Sequence, residues 1–128
     1  LLSLIIYQEL AKKFISVRYE SSLDWISSLI QQKYHAPTTF YNHVKLYESV
    51  SFLIIDEITE SISKDGVPTE LERQMLFQII NKRYENSLCT LVITNRDINA
   101  VQKRLGQPTA DRLSENGITL IFNWHSYR

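Results

Sequence analysis

A chain of 128 residues is sized for one domain, and with 44% hydrophobic residues it is globular rather than disordered. Its 14 basic and 14 acidic residues cancel, which excludes a nonspecific polyanion binder and leaves any DNA contact to a local patch. The single cysteine, Cys89, excludes an internal disulfide and a multi-cysteine metal site, and its apolar context predicts a buried position. No apolar stretch is long enough to cross a membrane and no signal-peptide pattern occurs, so the cytoplasm is the expected compartment.

The first half of the chain predicts helices around one short strand. Apolar residues at helical spacing and the break at Pro37-Thr38 set the boundaries. The predicted elements are a helix over 1–13, a strand over 14–19, a helix capped by Ser21 or Ser22, and a helix over 39–47.

In the second half, buried strands alternate with helices, the pattern of a parallel α/β sheet. Thr69 and Glu72 form a capping-box sequence at the start of one helix, and Asn116-Gly117 predicts a turn. Residues 61–68 predict an exposed loop. The predicted elements are strands over 52–56, 89–94 and 118–122, and helices over 69–84, 97–105 and 109–114.

The strand FLII at 52–55 is followed directly by two carboxylates, Asp56 and Glu57. Acids placed there lie at the carboxyl edge of a parallel sheet, where open α/β folds bind their ligands. In nucleotide hydrolases this is the Walker B arrangement, in which the first acid holds Mg²⁺ and a following Glu polarises the attacking water. The alternative is a strand that simply ends in a solvated acidic turn.

A second strand, LVIT at 91–94, ends in Asn95. Because neighbouring parallel strands end at the same edge, Asn95 can lie near Asp56 and orient a water against a γ-phosphate. An equally good interpretation is that Asn95 caps the helix that begins near Asp97.

Two arginines remain ambiguous from spacing alone. Arg112, in the sequence ADRL, can make a surface ion pair or can complete a neighbouring subunit's ATP site as an arginine finger. Arg128 ends the aromatic segment FNWHSYR, which would ordinarily pack on the core. The three histidines have no evident second ligand or catalytic partner, so no histidine metal site is predicted.

Taken together, the segments FLIIDEI, ERQMLFQIINKRYEN, TLVITN, QKRLGQPTADRL and FNWHSYR resemble the DnaC/DnaI-type helicase loaders of the AAA+ ATPase superfamily. The resemblance is strongest over 50–128. It implies a parallel-sheet P-loop NTPase core with three α/β/α layers. It also implies ATP-dependent loading of a hexameric replicative helicase onto single-stranded DNA, with self-association into a spiral or ring.

The resemblance also implies a role for each matching residue. Asp56 corresponds to the Mg²⁺ acid, Glu57 to the catalytic Glu and Asn95 to the sensor 1 residue. Arg112 corresponds to the finger that acts in trans, and Arg128 to the sensor 2 arginine that contacts nucleotide. ATP and Mg²⁺ are the implied cofactors.

The segment from about 23 to 47 corresponds to the extra helical element that faces single-stranded DNA in initiators and loaders. Basic and aromatic side chains there suit backbone contact and base stacking, although a solvated helix face with Tyr34 packed inward is an equal alternative. In loaders a polar residue and a Tyr follow Walker B; Thr69 and Leu71 stand here, and Leu71 cannot stack as Tyr does. The candidates are Lys33, Tyr34, His35, Lys45 and Thr69.

No G-x-x-x-x-G-K-[ST] sequence, the Walker A loop that cradles phosphates, occurs in the chain. In the family that loop directly precedes the helix that matches 1–13, so the chain is expected to be an N-terminally truncated AAA+ domain that binds ATP weakly by itself. The strand before the loop would be missing too, leaving a gap beside the last strand. Two other functions stay open: an IstB-like transposition helper ATPase, and a homologue that keeps partner binding without hydrolysis.

Overall fold

A computed structural model of the chain describes residues 1–58 and 68–122. The elements are α1 (Leu2–Lys12), β1 (Val17–Glu20), α2 (Asp24–His35), α3 (Pro37–Ser49), β2 (Phe52–Ile55), α4 (Glu70–Glu85), β3 (Cys89–Val92), α5 (Ile98–Leu105) and α6 (Gln107–Ser114). The three strands form one parallel sheet in the order β1-β2-β3. In this part of the chain, no helix is long and apolar enough to span a membrane.

Local sequence signals explain where the helices begin and end. The Thr69 hydroxyl accepts from the Glu72 amide and the Glu72 side chain accepts from the Thr69 amide, which completes the predicted capping box of α4. Pro37 starts α3, where its missing N–H costs nothing, and Gly106 ends α5 with a φ of 83°. The helix pattern was therefore readable from residue types alone.

The core lies between the sheet and the helices α2, α3 and α4. Leu53 and Ile55 of β2 point into it and are fully buried, while Ile54 is fully buried on the other face of the strand. Helix α1 contacts β1, and α5 and α6 pack with α4. The central strand is therefore covered on both faces, as the FLII sequence predicted.

One charged side chain, Arg83 of α4, lies entirely inside this core. Its Nη1 donates to the carbonyl oxygens of Tyr47 at 2.8 Å and Val50 at 2.7 Å. Its Nε donates to the Thr90 hydroxyl at 2.9 Å, and Nη2 donates to the Cys89 carbonyl at 2.5 Å. One guanidinium thus ties α4 to the end of α3, to the residue two before β2, and to β3.

The third strand departs from its prediction. It ends at Val92 instead of residue 94 and is only partly buried, and Cys89 is exposed rather than buried. Within the described residues β3 pairs with β2 alone, so its outer edge carries no neighbour. An edge strand cannot bury its side chains as a central strand does, which explains the exposure of Cys89.

The predicted strand over 118–122 is wrong. These residues have no strand pairing, and the side chain of Ile118 is 88% exposed. A strand needs a partner edge to satisfy its backbone. Among the described residues, neither this segment nor the outer edge of β3 has a strand partner, and the gap expected beside the last strand stays a prediction.

The remaining differences are small. The strand predicted over 14–19 runs instead from Val17 to Glu20, because Phe14 has a left-handed φ of 57° and cannot join a strand. The N-cap of α2 is Leu23, not Ser21 or Ser22 as predicted. The Ser22 hydroxyl accepts a hydrogen bond from the Asp24 amide in the first turn. Most of the predicted loop over 61–68, and the terminal segment with Arg128, lie outside the described residues.

Candidate active site

The Asp56 carboxylate lies at the carboxyl edge of the sheet and is held from two sides. Its Oδ2 accepts from the Tyr19 hydroxyl at 3.3 Å, and its Oδ1 accepts from the Glu57 amide at 2.9 Å. The Asp56 amide donates to the Glu20 carbonyl at 2.8 Å, which extends the parallel ladder by one residue. These bonds fix the direction of a carboxylate that is still partly exposed.

Glu57 has a backbone conformation that side chains avoid. Its φ is 54°, in the left-handed region, and its side chain is exposed. For a residue other than glycine, this conformation costs about 1–2 kcal/mol. Strain of this kind gathers at functional sites, where the surrounding structure imposes it. The chain therefore turns sharply at Glu57, directly after Asp56.

The parallel register brings the end of β3 to the same edge as Asp56. Ile55 pairs with Val92, and the Ile93 amide donates to the Ile55 carbonyl at 2.9 Å. Asn95 follows two residues later and is exposed.

The capping alternative for Asn95 is wrong, because Asp97 caps α5 by accepting from the Ala100 amide at 2.9 Å. The side chain of Asn95 is therefore not used for capping.

The donor set at Asp56 fits a hard divalent cation. Each of its carboxylate oxygens accepts one hydrogen bond and keeps lone-pair capacity for a further partner. Magnesium in nucleotide sites takes one or two carboxylates and completes its shell with phosphate oxygens and water. Across residues 1–58 and 68–122 no cluster of three or more His, Cys, Asp or Glu side chains could hold a metal ion by itself. Asp56 can therefore supply the protein's share of a site that a nucleotide completes.

Tyr19 is the site residue that the sequence reasoning missed. Strand β1 pairs in parallel with β2, so that Tyr19 lies opposite Ile54, two residues before Asp56. The phenol ring is long enough to reach forward along the edge to the Asp56 carboxylate. A polar aromatic residue near the end of the strand beside Walker B was the available signal, but its meaning depends on knowing that β1 is the neighbour of β2.

A second polar cluster lies beside this edge. It joins side chains of β1 to side chains of α2 and α3. The Tyr47 hydroxyl donates to Glu20 Oε1 at 2.5 Å, and Arg18 Nε donates to the same oxygen at 2.9 Å. The Tyr47 ring stacks on Trp25 with 4.3 Å between the ring centres. Burial, and then the hydrogen bond to Glu20, raise the pKa of Tyr47 to about 12.

No contact among the described residues joins Arg112 to Asp56. It sits on α6 and packs against α4, where its Nε donates to Asn81 Oδ1 at 2.8 Å. Its Nη1 also bonds Glu115 at 3.1 Å. These contacts are made within one chain, and a role in trans stays a prediction.

The side chains that are candidates for DNA contact differ in their exposure and in the residues they bond. Tyr34 is 66% exposed, so the alternative that it packs inward is wrong, and its neighbours Lys33 and His35 are exposed at the end of α2. Lys45 is bonded to Glu48 at 3.7 Å and lies 5.6 Å from the centre of the Tyr41 ring.

The remaining DNA candidate, Thr69, uses its hydroxyl in the α4 capping box. Tyr41, 60% exposed on α3, is a further aromatic side chain on this surface that the sequence reasoning did not select.

Comparison with known protein sequences finds that this chain is similar to replicative helicase loaders. The replicative helicase loader DnaC of Escherichia coli (strain K12) is 36% identical over 83 residues, which cover 62% of this chain and 31% of DnaC. DnaC of Buchnera aphidicola subsp. Baizongia pistaciae is 32% identical over 81 residues with the same coverage. The chain thus spans about a third of the length of the curated relatives it matches, 31%. No protein-family model matches it.

Solved structures agree on the fold. A crystal structure of the DnaC helicase loader has a TM-score of 0.68 at 21% identity and covers 85% of this chain and 62% of that one. A replication initiator DnaA bound to AMPPCP and single-stranded DNA has a TM-score of 0.66 at 20% identity, covering 87% of this chain and 32% of that one. The fold of this chain, with its parallel sheet, is therefore similar to the folds of DnaC and DnaA. Over those 83 residues, the chain is similar in sequence to the DnaC helicase loader.

Proposed function

We propose that this chain is part of an ATP-hydrolysing AAA+ helicase loader, which acts in the cytoplasm to deliver a hexameric replicative helicase onto single-stranded DNA. The observation that carries the proposal is the arrangement at the carboxyl edge of the sheet. Asp56 is oriented by Tyr19, Glu57 is presented by a left-handed turn, and Asn95 follows the neighbouring strand. A magnesium-holding acid, a candidate base and a polar residue beside them are parts that a magnesium-assisted attack of water on a γ-phosphate uses.

Each residue has a distinct proposed part in that reaction. Asp56 holds the magnesium ion, Glu57 accepts a proton from the attacking water, and Asn95 orients that water. Bound Mg²⁺ neutralises charge on the phosphates. Arg112 of a neighbouring copy and Arg128 of the same chain contact the nucleotide, in a spiral or ring of copies.

The exposed aromatic and basic side chains of α2 and α3 support a single-stranded DNA contact. Tyr34 and Tyr41 can each stack on a base, which is worth about 1–3 kcal/mol per base, while Lys33 and Lys45 can neutralise phosphates. We expect Tyr34→Ala to weaken binding of a labelled oligothymidylate by tenfold or more. Phe40→Leu, on the same pair of helices but half-buried in the core cluster, is the matched control for indirect effects.

A loading assay tests the function as a whole. The protein as its gene encodes it is mixed with a hexameric replicative helicase, ATP and a closed single-stranded DNA circle that carries an annealed primer. Because the circle has no ends, primer release requires that the helicase ring be opened and placed on it. We expect release to depend on the protein and on ATP, and to be lost with Asp56→Asn. Recovery of a transposase rather than a helicase in pull-downs would contradict the proposal and favour a transposition helper.

A second candidate is a homologue that binds the helicase without turning over ATP. The specific observation that favours it is the sequence itself, since none of its three glycines, at 66, 106 and 117, lies in a phosphate-cradling loop. Titration of residues 1–128 with Mg·ATP tests whether this chain binds nucleotide tightly by itself. Weak binding is expected if the chain supplies only the hydrolytic half of the site, and micromolar affinity contradicts that expectation. Helicase binding by the encoded protein with no ATP turnover would establish the second candidate.

A further inference from the structure

Three neighbours fix the side chain of Arg112 on the surface between α4 and α6. Its Nε donates to Asn81 Oδ1 at 2.8 Å, and its Nη1 donates to Glu115 Oε2 at 3.1 Å. Its guanidinium carbon lies 4.8 Å from the centre of the Tyr84 ring. Asn81 and Tyr84 are three residues apart, so they share one face of α4. A side chain with four rotatable bonds thus has a defined direction.

The amide of Asn81 is itself held in place. An arginine has only donors, so the oxygen of the Asn81 amide must face Arg112. The amide nitrogen donates to Glu85 Oε1 at 2.8 Å, which resists rotation of the group. A continuous series of hydrogen bonds therefore runs from Glu85 through Asn81 to Arg112.

These contacts leave part of the guanidinium available. Of its five N–H groups, one on Nε and one on Nη1 are used, and among the described residues Nη2 has no hydrogen-bond partner. The side chain is 37% exposed. The outer edge formed by Nη1 and Nη2 matches two oxygens of a phosphate. Glu115, by contrast, brings a negative charge to the same guanidinium and competes with any bound anion.

We propose that Asn81 and Tyr84 are positioning residues that hold Arg112 ready for a polyphosphate, and that Glu115 is a competing anion that limits how tightly Arg112 binds it. The inference rests on the proposed function for the source of the anion, which is the nucleotide held by a neighbouring copy. Removing a holder disorders Arg112, whereas neutralising Glu115 strengthens its binding, so the two kinds of substitution act in opposite directions on anion affinity.

The positioning is tested by NMR on the full chain, from the exchange of the Arg112 Nε–H with water. Loss of its one acceptor in Asn81→Leu should speed this exchange about tenfold. The matched variant Asn81→Asp keeps an acceptor and should keep slow exchange. Tyr84→Leu should broaden the signal, and Tyr84→Phe, which keeps the ring, should not. Unchanged amide signals in α2 and β2 establish that each variant is folded.

The competition is tested by titrating inorganic tripolyphosphate at low salt while following the same signal. Glu115→Gln should tighten binding two- to fivefold, the range expected for removing an exposed ion pair. Glu70→Gln, at the far end of α4, makes the same change in net charge and should leave affinity unaltered. Arg112→Gln should remove the binding.

Two results would overturn the inference: exchange in Asn81→Leu as slow as in the wild type, or tripolyphosphate affinity that is equal in Glu115→Gln and Glu70→Gln. Failure of the proposed function has a different signature. If ATP turnover by the assembled protein is the same with Arg112→Gln, the trans role is wrong even where the NMR results stand.

Discussion

Arg83 donates through Nη1 to the carbonyl oxygen of Val50 at 2.7 Å, which links the last turns of α4 to the chain just before the acid-ended strand. The guanidinium is fully buried, and among the described residues no carboxylate bonds it; its other acceptors are two backbone carbonyls and the Thr90 hydroxyl. A planar group with five donors suits this arrangement, because one side chain satisfies acceptors on α3, on β3 and on the connection between α3 and β2. Arg83 thus holds α4 against the starts of β2 and β3.

We therefore predict that Arg83→Met lowers the free energy of unfolding by about 3 kcal/mol, since it removes the Arg83 donors to the buried carbonyls of Tyr47 and Val50. Arg83→Lys should recover only part of that loss, because an ammonium cannot span the same acceptors. Lys82→Met, at an exposed position of α4, is the control. Urea denaturation measures all three variants, and an equal loss in Arg83→Met and Lys82→Met contradicts the prediction.

The left-handed φ of Glu57 predicts that one substitution will raise the stability of the protein and abolish its activity. Glu57→Gly should raise the free energy of unfolding by about 1 kcal/mol, because glycine adopts this φ without strain. The same substitution should abolish ATP turnover, since it removes the proposed general base. Ser87→Gly is the matched control, because Ser87 also has a φ of 54° and lies away from the site. It should stabilise the protein and leave turnover unchanged; stabilisation by Ser87→Gly alone would show that Glu57 is unstrained.

We expect the Tyr19 hydroxyl to affect Mg²⁺ affinity rather than the stability of the fold. Tyr19→Phe removes the hydroxyl that orients Asp56, and loss of such an outer partner typically costs about 10–100-fold in metal affinity. We expect the Mg²⁺ concentration for half-maximal ATP turnover to rise at least tenfold. Tyr7→Phe is the control, since Tyr7 lines the cleft between α1 and β1 with Tyr19. A similar Mg²⁺ dependence in both variants would remove Tyr19 from the site.

The raised pKa of Tyr47 predicts a loss of stability in alkali. In the unfolded chain a tyrosine releases its proton near pH 10, whereas in the folded chain the pKa of Tyr47 is about 12. The stabilisation is therefore complete below pH 10 and is lost as the pH rises to 12, a change on the order of 2 kcal/mol.

Comparison with Tyr47→Phe isolates this effect from the other tyrosines. The difference in unfolding free energy between wild type and variant should shrink between pH 10 and 12. A constant difference over that range contradicts the assignment.

How far the sequence predicts this structure depends on what each element needs. The start of α4 was predicted to the residue because the capping box is local, with Thr69 and Glu72 three positions apart. The acid-ended strand was predicted because four consecutive apolar residues fit a strand covered on both sides.

The outer edge of the sheet was not predictable in the same way. CTLV at 89–92 has the composition of a buried strand, but its burial depends on a neighbour, and among the described residues β3 has one on one side only. The segment 118–122 also has strand composition, but it pairs with no described strand. Tyr19 was missed because its contact with Asp56 depends on which strands pair, and pairing is set by the whole sheet.

We propose that the edge of the sheet that carries Asp56, Glu57 and Asn95 hydrolyses ATP. The most direct test is steady-state ATP turnover by the protein as its gene encodes it, with helicase and single-stranded DNA present, in the wild type and in Glu57→Gln. Glu57→Gln keeps the shape of the side chain and removes the base. We predict that it lowers turnover at least 100-fold, in line with the usual contribution of a general base, while helicase binding is retained. Turnover that is equal in the two proteins, or absent from the wild type, would contradict the claim.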